Sequence, residues 1–285
     1  MKKVLYPFEI NRPVYRETYV YAVKFARNLG AELIMLNAFE LNLYDSITQQ
    51  DYDQLIKENW LKAYNEIIKF NKLYLQNHVK TGPEISLKFN YRFIHGNLLN
   101  EIRKILSTEE IELIILPVPD HKDKNQRKLE LIRKEIFNKN LGSILAVPCR
   151  TSFQPVKNIA FIIDLENLDH SLLYLKDVLR YAKIFNANIH FLYLSQSEKA
   201  QIISDNDAYR AVMQIIDSNK NHVFRQICGK DTAGMVDQYT EKNGIQILLL
   251  VRHHHHFFNL ALHYSICDEM TLKSKIPLLI LRERN

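Results

Sequence analysis

The sequence Phe25-Ala-Arg-Asn-Leu-Gly-Ala-Glu-Leu-Ile-Met-Leu36 indicates the architecture, because the chain repeats its pattern as Tyr181-Ala-Lys-Ile-Phe-Asn-Ala-Asn-Ile-His-Phe-Leu192. The two stretches begin 156 residues apart, and each has the pattern of an amphipathic helix that ends just before a buried strand. This spacing is far longer than the roughly 20–50 residues of a solenoid repeat. Each half of the chain must therefore bury a core of its own.

Four further blocks recur in the same order around this pair, which indicates a duplicated domain. The matched blocks are Val4–Glu9 with Ile159–Asp164, Phe93–Gly96 with Gln226–Gly229, Ile111–Leu116 with Ile245–Leu250, and Leu141–Val147 with Lys275–Leu281. The boundary is predicted in the short polar stretch Thr151–Pro155. This boundary gives one domain at 1–150 and a second at 155–285.

Composition excludes several classes of protein. The 285 residues are 47% hydrophobic and 25% charged, which is typical of globular domains. No apolar run approaches the ~18 residues of a membrane span, and no signal peptide is recognisable. Three scattered cysteines, Cys149, Cys228 and Cys267, predict a reducing cytoplasm rather than a disulfide framework. The net charge of +6 comes from basic residues mixed with acidic ones, so we expect no nucleic-acid binding.

Short apolar runs alternate with helix-length segments throughout both halves, which predicts doubly wound parallel sheets. The third strand of each half has a mixed pattern, as an edge strand would. The predicted strands are Lys3–Tyr6, Glu32–Asn37, Ser86–Ile94, Leu113–Pro117 and Ser143–Val147, then Asn158–Ile163, Asn188–Leu194, Asn221–Ile227, Gln246–Val251 and Pro277–Leu281.

One longer segment, Ile47–His78, has the pattern of a single helix between the second and third strands of the first half. Its inner face is predicted to carry Trp60, Ala63, Tyr64, Ile67 and Phe70.

These features resemble the universal stress protein family, as a tandem pair that covers nearly the whole chain. The residues that carry the resemblance are the turns Pro7-Phe8-Glu9 and Ile162-Ile163-Asp164, Tyr181-Ala182 before Phe185-Asn186-Ala187, the glycine turns at Gly96 and Gly229, and Pro277-Leu-Leu-Ile-Leu281. The resemblance implies an α/β fold of two five-stranded, adenine nucleotide alpha hydrolase-like domains. It also implies that the fifth strands pair, which would make an internal pseudo-dimer.

Members of the family that bind ATP carry Gly-x2-Gly-x9-Gly-Ser/Thr after the fourth strand, where glycines let backbone amides approach phosphates. In the second half the serine position is Ser265, and the three glycine positions hold Val251, His254 and Tyr264. In the first half the stretch 117–127 has no glycine, and Leu131 stands at the serine position. The resemblance therefore implies a class that lacks the ATP loop, and we expect no cofactor.

The run Arg252-His-His-His-His-Phe-Phe258 follows the fourth strand of the second half. Ligands bind open α/β sheets at this edge, where the strand order reverses. The resemblance implies that this switch point lies between the first and fourth strands, so Asp164 is expected to face His253 and His254 across it. Gly229 and Ser265 complete the candidate ligand site that the family pattern implies. Such a site suits an anion, a phosphate or a soft divalent metal.

Plainer explanations exist for the same residues. Consecutive histidines cannot all point the same way, so a loop without ligands explains the run more simply than a metal site does. His263 and Cys267 share a helix face, but nothing completes a tetrahedral zinc set, so no metal is predicted. Asp164 is equally well explained as a helix cap, and the corresponding residue Glu9 as a surface or capping residue. Cys228 fits a packed strand end.

The sequence thus predicts a cytoplasmic tandem protein that acts as a stress-linked binding or interaction module and not as an enzyme. The alternative is a sensor for a small nucleotide-like or anionic ligand, with one site in the C-terminal domain. An ATP-hydrolysing relative is disfavoured by the missing glycines. Beyond the internal pseudo-dimer, a further homodimer and an unidentified protein partner are compatible with the sequence, whereas membrane and nucleic-acid partners are not expected.

Overall fold

The chain divides into two compact units, Met1–Gly142 with Cys149–Phe153, and Ser143–Pro148 with Gln154–Asn285. The computed structural model describes residues 2–8, 13–40, 48–78, 87–118, 131–136, 141–149, 151–163, 168–195, 210, 213, 221–228, 231–251, 270 and 274–282. Among the helices in these ranges, none is long and apolar enough to span a bilayer.

The first unit has a sheet of strand order β3-β2-β1-β4, in which every described pair is parallel. Its elements in chain order are β1 (Lys3–Pro7), α1 (Pro13–Leu29), β2 (Glu32–Phe39), α2 (Gln49–His78), β3 (Phe89–His95), α3 (Leu98–Thr108) and β4 (Leu113–Val118). A further short helical segment lies at 131–136.

The second unit has the strand order β5-β10-β9-β6-β7-β8, and its pairs are parallel apart from β5 with β10. Its elements are β5 (Ile144–Pro148), β6 (Asn158–Ile163), α4 (Leu168–Phe185), β7 (Asn188–Ser195), β8 (His222–Cys228), α5 (Thr232–Lys242), β9 (Ile247–Val251) and β10 (Leu278–Leu281).

All ten predicted strands are present, and the largest difference is that β3 begins at Phe89 rather than Ser86. The mixed third strands, β3 and β8, are edge strands of their sheets, as expected. β5 lies with the second unit although it ends the first repeat in sequence. The division into five strands per repeat, with domains at 1–150 and 155–285, stays a prediction.

Each sheet is built around a strand that is buried on both faces. Val4, Leu5 and Tyr6 of β1 are 0% exposed, as are Ala160 and Phe161 of β6. Continuous apolar runs are what a strand covered by helices on both sides requires. The crossover helices supply that cover and join strands that run in the same direction.

The duplication extends to the turns that end α1 and α4. Gly30 has φ +61° and Asn186 has φ +53°, which is the left-handed conformation that ends many helices. After each turn the same hydrogen bond returns to the helix: Ala31 N donates to Ala26 O at 3.0 Å, and Ala187 N donates to Ala182 O at 2.9 Å. Asn186 stands where the first unit has Gly30, and asparagine adopts the left-handed conformation more readily than most residues that have a side chain.

Helix α2 corrects part of the prediction for its inner face. Ala63 and Ile67 are buried as expected, at 8% and 1% exposure. Trp60 and Tyr64 were placed on the same face, but they are 40% and 37% exposed. Both rings contact the ring of Phe93 in the edge strand β3, edge to face. The side chain of Phe70 lies outside the described residues.

A cluster of ion pairs joins the segment before β4 to β1 and β3 of the first unit. Glu109, just before β4, accepts hydrogen bonds from Arg92 of β3 and, at 2.8 Å, from Nζ of Lys3 of β1. These bonds lower the pKa of Glu109 from 4.5 to about 2, the Arg92 bond contributing most. Because its side chain is only 20% exposed, this cluster is partly shielded from solvent.

The second unit joins the amino ends of β6, β7 and β9 with neutral amides. Oε1 of Gln246 accepts from Lys157 N and Asn158 N, both at 2.8 Å. Nδ2 of Asn158 donates to Asn243 O at 3.2 Å, and Nδ2 of Asn188 donates to Oδ1 of Asn158 at 2.9 Å. The two units thus share a backbone arrangement but use different side-chain chemistry at this edge.

The charged cluster should make part of the stability depend on pH. Glu109→Gln is expected to lower the free energy of unfolding at pH 7 by about 1 kcal/mol, a value reduced by partial exposure. From pH 4.5 down to about 2 the wild type should lose this contribution progressively, because the unfolded chain binds the proton first. Urea unfolding at a series of pH values measures both effects.

The matched control for this experiment is Glu110→Gln, which changes an exposed neighbour of the same type. It should leave the pH dependence unchanged. Equal pH profiles for Glu109→Gln and the wild type would contradict the role given to the cluster.

The expectation that the fifth strands lie side by side is confirmed. β5 and β10 pair antiparallel with Leu278 opposite Ala146 and Ile280 opposite Ile144. Backbone N–H of Arg282 also donates to Oγ of Ser143 at 3.0 Å. β5 therefore covers one edge of β10, whose four residues are all buried.

Removing β5 should leave that edge open. A chain that begins at Ser143 is expected to be monomeric, whereas one that begins at Gln154 should self-associate through the exposed edge of β10. Size-exclusion chromatography with light scattering distinguishes the two, with the full chain as reference. Identical monomeric behaviour of both fragments would show that β10 does not need β5.

Candidate functional site

The carboxyl edge of each sheet contains a point where the strand order reverses. β1 lies between β2 and β4 in the first unit, and β6 lies between β7 and β9 in the second. The predicted switch point between the first and fourth strands of each repeat is thus confirmed. In open α/β sheets, ligands bind at the carboxyl ends of the strands beside such a point.

All five residues of the predicted ligand site lie outside the described residues: Asp164, Gly229, His253, His254 and Ser265. The strand ends next to them are described. Asp164 follows Ile163 of β6 in the chain, and the histidine run begins two residues after Val251 of β9. Because β6 and β9 are adjacent and parallel, with Phe161 opposite Leu249, these two segments start at the same sheet edge.

Gly229 begins from a more distant strand. It follows Cys228 of β8, which is separated from β6 by β7. Neighbouring strands are about 4.8 Å apart, so β8 ends about 10 Å from β6. The structure therefore brings the starting points for Asp164 and the histidines together and keeps that for Gly229 two strands away.

In the first unit, the carboxyl edge carries a histidine that the sequence prediction missed. Nδ1 of His95, the last residue of β3, is 2.8 Å from the hydroxyl of Tyr52 in α2. The His95 ring also contacts Phe39 at the end of β2, with ring centroids 5.7 Å apart. Tyr52 and Phe39 hold the imidazole in place, and the Tyr52 hydroxyl pairs with Nδ1, so Nε2 is the ring nitrogen left to bind another group.

The next two residues shape the turn at this edge. Gly96 has φ +147°, a conformation that side chains rarely adopt, and its N–H donates to Phe39 O at 2.9 Å. Asn97 caps α3 by accepting from Leu99 N, and its own Nδ2 donates to Glu40 at 2.9 Å. Gly96 was one of the two first-half residues matched to the family pattern; the other, Glu9, lies outside the described residues.

A carboxylate of α3 points toward this turn. Oε1 of Glu101 would be 3.5 Å from a Cβ placed on Gly96. Its other oxygen, Oε2, is buried and accepts no hydrogen bond from the described part of the chain. Buried carboxylate oxygens normally accept a hydrogen bond, so this oxygen is an acceptor beside the turn.

A second histidine–tyrosine pair occurs in the second unit, inside the structure rather than at its edge. Nδ1 of His190 in β7 is 2.9 Å from the Tyr239 hydroxyl in α5, and His190 is 8% exposed. Burial lowers the pKa of His190 and raises the pKa of Tyr239. Both groups are therefore neutral at physiological pH, and the pair joins a strand to a helix.

The described residues provide polar groups for hydrogen bonding but no metal site. No group of three or more histidine, cysteine or acidic residues within the described ranges is arranged to hold a metal ion. The pair His263 and Cys267, considered for zinc, lies outside those ranges. Cys149 has intermediate exposure, and its backbone N–H donates to Val118 O at 2.9 Å.

Only one sequence signal pointed toward the groups that were missed. His95 directly precedes Gly96. A polar residue at the end of a strand, beside a glycine turn, is a typical position for a ligand-binding residue. Tyr52 and Glu101 gave no such signal. Each reaches the edge from a helix, and only the packing of α2 and α3 on the sheet brings it there.

No family model and no curated protein sequence matches the chain. Among solved structures it is similar to a universal stress protein from Archaeoglobus fulgidus DSM 4304, with a TM-score of 0.72 and 12% identity over 99% of this chain and 98% of that one. It is also similar to a putative universal stress protein from Pseudomonas aeruginosa UCBPP-PA14, with a TM-score of 0.57 and 13% identity over 99% and 93%.

A third similar structure is the cytoplasmic domain of a prokaryotic cation chloride cotransporter, with a TM-score of 0.52 and 12% identity over 99% of this chain and 95% of that one. Proteins with such different descriptions share this architecture, so the likeness shows the fold and not the activity. The chain has the fold of the universal stress proteins, an α/β fold with a mostly parallel sheet.

Proposed function

We propose that this chain is a tandem universal stress protein that works in the cytoplasm as a stress-linked binding or interaction module and not as an enzyme. The two repeats each contribute five strands, and β5 with β10 forms the centre of an internal pseudo-dimer. The antiparallel pairing of those strands supports this arrangement, because two copies related by a two-fold axis meet with their edge strands antiparallel.

The observation that carries the proposal is the lack of glycine after the switch-point strands. β4 ends at Val118 and β9 at Val251, and neither 119–130 nor 252–269 contains a glycine. The whole chain has only 7 glycines. A phosphate cradle needs backbone N–H groups that approach the phosphates closely, and side chains at those positions prevent this approach.

The full chain is therefore expected not to bind Mg-ATP with micromolar affinity. Isothermal titration calorimetry tests this directly, with circular dichroism on the same sample to show that the protein is folded. Native mass spectrometry of protein purified without added nucleotide should find no nucleotide bound. A micromolar dissociation constant, or co-purified nucleotide, would contradict the proposal.

A second candidate function is a small-ligand sensor with one site in the second unit. The adjacency of β6 and β9 favours it, since the segments with Asp164 and the histidine run start at the same sheet edge. In this proposal Asp164 binds a hydroxyl or amine and His253 and His254 donate to the ligand. Gly229 allows close backbone approach, and Ser265 binds the far end from a helix start.

The sensor is tested by binding titrations on the full chain between about pH 5.5 and 8 with inorganic phosphate, AMP and Zn²⁺ as probes. An anion should bind more tightly as the pH falls and the histidines protonate. Zn²⁺ should bind less tightly, because it competes with protons for the imidazole. Either effect should be lost in the double variant His253→Ala/His254→Ala.

The matched control is His255→Ala/His256→Ala, which removes the same number of imidazoles from the same run. Equal loss of binding in both double variants would show nonspecific binding by the histidine run. Absence of binding to all three probes would leave the interaction module as the function.

A further inference from the structure

The two units place different side chains at one equivalent position, where a helix packs on the sheet. Helices α3 and α5 correspond residue by residue, because each has 11 residues and begins after a capping side chain. Strands β2 and β7 correspond in the same way over eight residues. His190 of β7 is therefore the counterpart of Ile34 in β2. Tyr239 of α5 is the counterpart of Ile105 in α3.

The first unit shows that the fold accepts apolar side chains at both positions. Ile34 and Ile105 are buried, and α3 packs on β2. Two isoleucines contain no group that can gain or lose a proton. The architecture therefore does not require the titratable pair that the second unit has at the same place.

In the second unit the pair is buried and bonded through one nitrogen of the imidazole. Nδ1 of His190 is 2.9 Å from the Tyr239 hydroxyl, and the two rings meet edge to face with centroids 5.9 Å apart. Strand pairing places Ala160 of β6 and Val223 of β8 beside His190. Val236, one turn before Tyr239 in α5, is also buried. These neighbours are apolar, and an imidazolium buried among them would lose its hydration.

The charge nearest to the pair is positive. Arg225 lies two residues along β8 from Val223, so both side chains are on the same face of the sheet as His190. The positive charge of Arg225 acts on the Tyr239 hydroxyl and opposes the rise in its pKa that burial causes. The same charge would repel a protonated His190.

The acidic side chains of α5 lie elsewhere. Asp237 and Glu241 are each two residues from Tyr239, which places them about 160° around the helix from it. Glu241 is exposed and lies 3.8 Å from Nζ of Lys275. His222 precedes Val223 and so faces the other side of β8. Within the described part of β6, β8 and α5, no carboxylate thus faces His190.

We propose that protonation of His190 releases α5 from β7, so that mild acid opens the second unit at this helix while α3 of the first unit stays packed. The neutral ring is satisfied by Tyr239, whereas the protonated ring is buried beside Arg225 without an acidic partner. The contact depends on no ligand and no protein partner, so it goes beyond the function proposed above. It gives the second unit a response to pH that the first unit lacks at the equivalent place.

The direction of the shift sets the pH range. Burial lowers the pKa of His190 below its ordinary value of 6.5, so the opened chain binds the proton first as the pH falls through 6.5. One proton taken up only in the opened state raises the opening equilibrium up to about tenfold per pH unit. The Glu109 cluster of the first unit loses stability only below pH 4.5. The two units therefore respond in separate ranges.

Hydrogen exchange of the full chain tests the proposal, with mass spectrometry of peptides that cover α3 and α5. Between about pH 7.5 and 5.5 the intrinsic exchange rate changes equally for both helices, so α3 is an internal reference. Protection of α5 relative to α3 should fall up to about tenfold from pH 6.5 to 5.5. Return to pH 7.5 should restore it.

Two variants remove the proton acceptor in different ways. His190→Asn keeps an amide near the position of Nδ1 but does not titrate, so the pH response of α5 should be lost. His190→Ile/Tyr239→Ile reproduces the pair of the first unit. It should also lose the response and stay folded, because replacing both partners of a buried bond by apolar groups can be nearly neutral. Circular dichroism verifies that each variant is folded.

The matched control is His222→Asn, which removes an imidazole from the neighbouring strand on its other face. It should keep the wild-type response. Equal loss of protection in α3 and α5 of the wild type would overturn the proposal without any variant. A response that persists in both His190 variants, or that disappears in His222→Asn, would also overturn it, because another histidine would then be the sensor.

Discussion

Each sheet depends on one central strand that is buried on both faces and hydrogen-bonded on both edges. β1 and β6 have these positions, and the residues in the middle of each are wholly inaccessible. A parallel strand cannot be joined to its neighbour by a hairpin, so helices must cross over the sheet and cover it. Further strands lie on both sides of the centre, which creates the reversal of strand order at the carboxyl edge, where open α/β sheets bind ligands.

The two units repeat the backbone far more closely than they repeat the side chains. Backbone N–H of Glu32 donates to Lys2 O at 2.8 Å, and the corresponding N–H of Asn188 donates to Lys157 O at the same distance. Around these bonds, carboxylates and cations in the first unit are replaced by amides in the second. Backbone geometry sets the pairing of strands, whereas many side-chain sets can satisfy the groups at their ends. The chemistry of one unit is therefore no guide to that of the other.

Elements that one local pattern specifies were predictable. The ten strands and the edge positions of β3 and β8 followed from apolar runs and their order, whereas the switch points followed from the family resemblance. Helix α2 shows where that reasoning fails. Periodicity placed Trp60 and Tyr64 with Ala63 and Ile67, because all four fall within one broad face of a helix. The width of the face that is buried depends on what packs against it, and β3, which supplies Phe93 beneath the two rings, is an edge strand.

The sequence by itself determined the duplication, the alternation of strands and helices, and the loss of glycines from the segments after the fourth strands. These properties depend only on local sequence patterns and on residue types, and not on contacts between distant parts of the chain. Other features are visible only in the tertiary structure. β5 lies with the second unit, and the Tyr52 hydroxyl is within hydrogen-bonding distance of His95. One carboxylate oxygen of Glu101 is buried, and large apolar side chains of α2 are exposed. The physical reason is that each of these depends on contacts between residues distant in the chain, whose distances are set by packing and not by sequence separation.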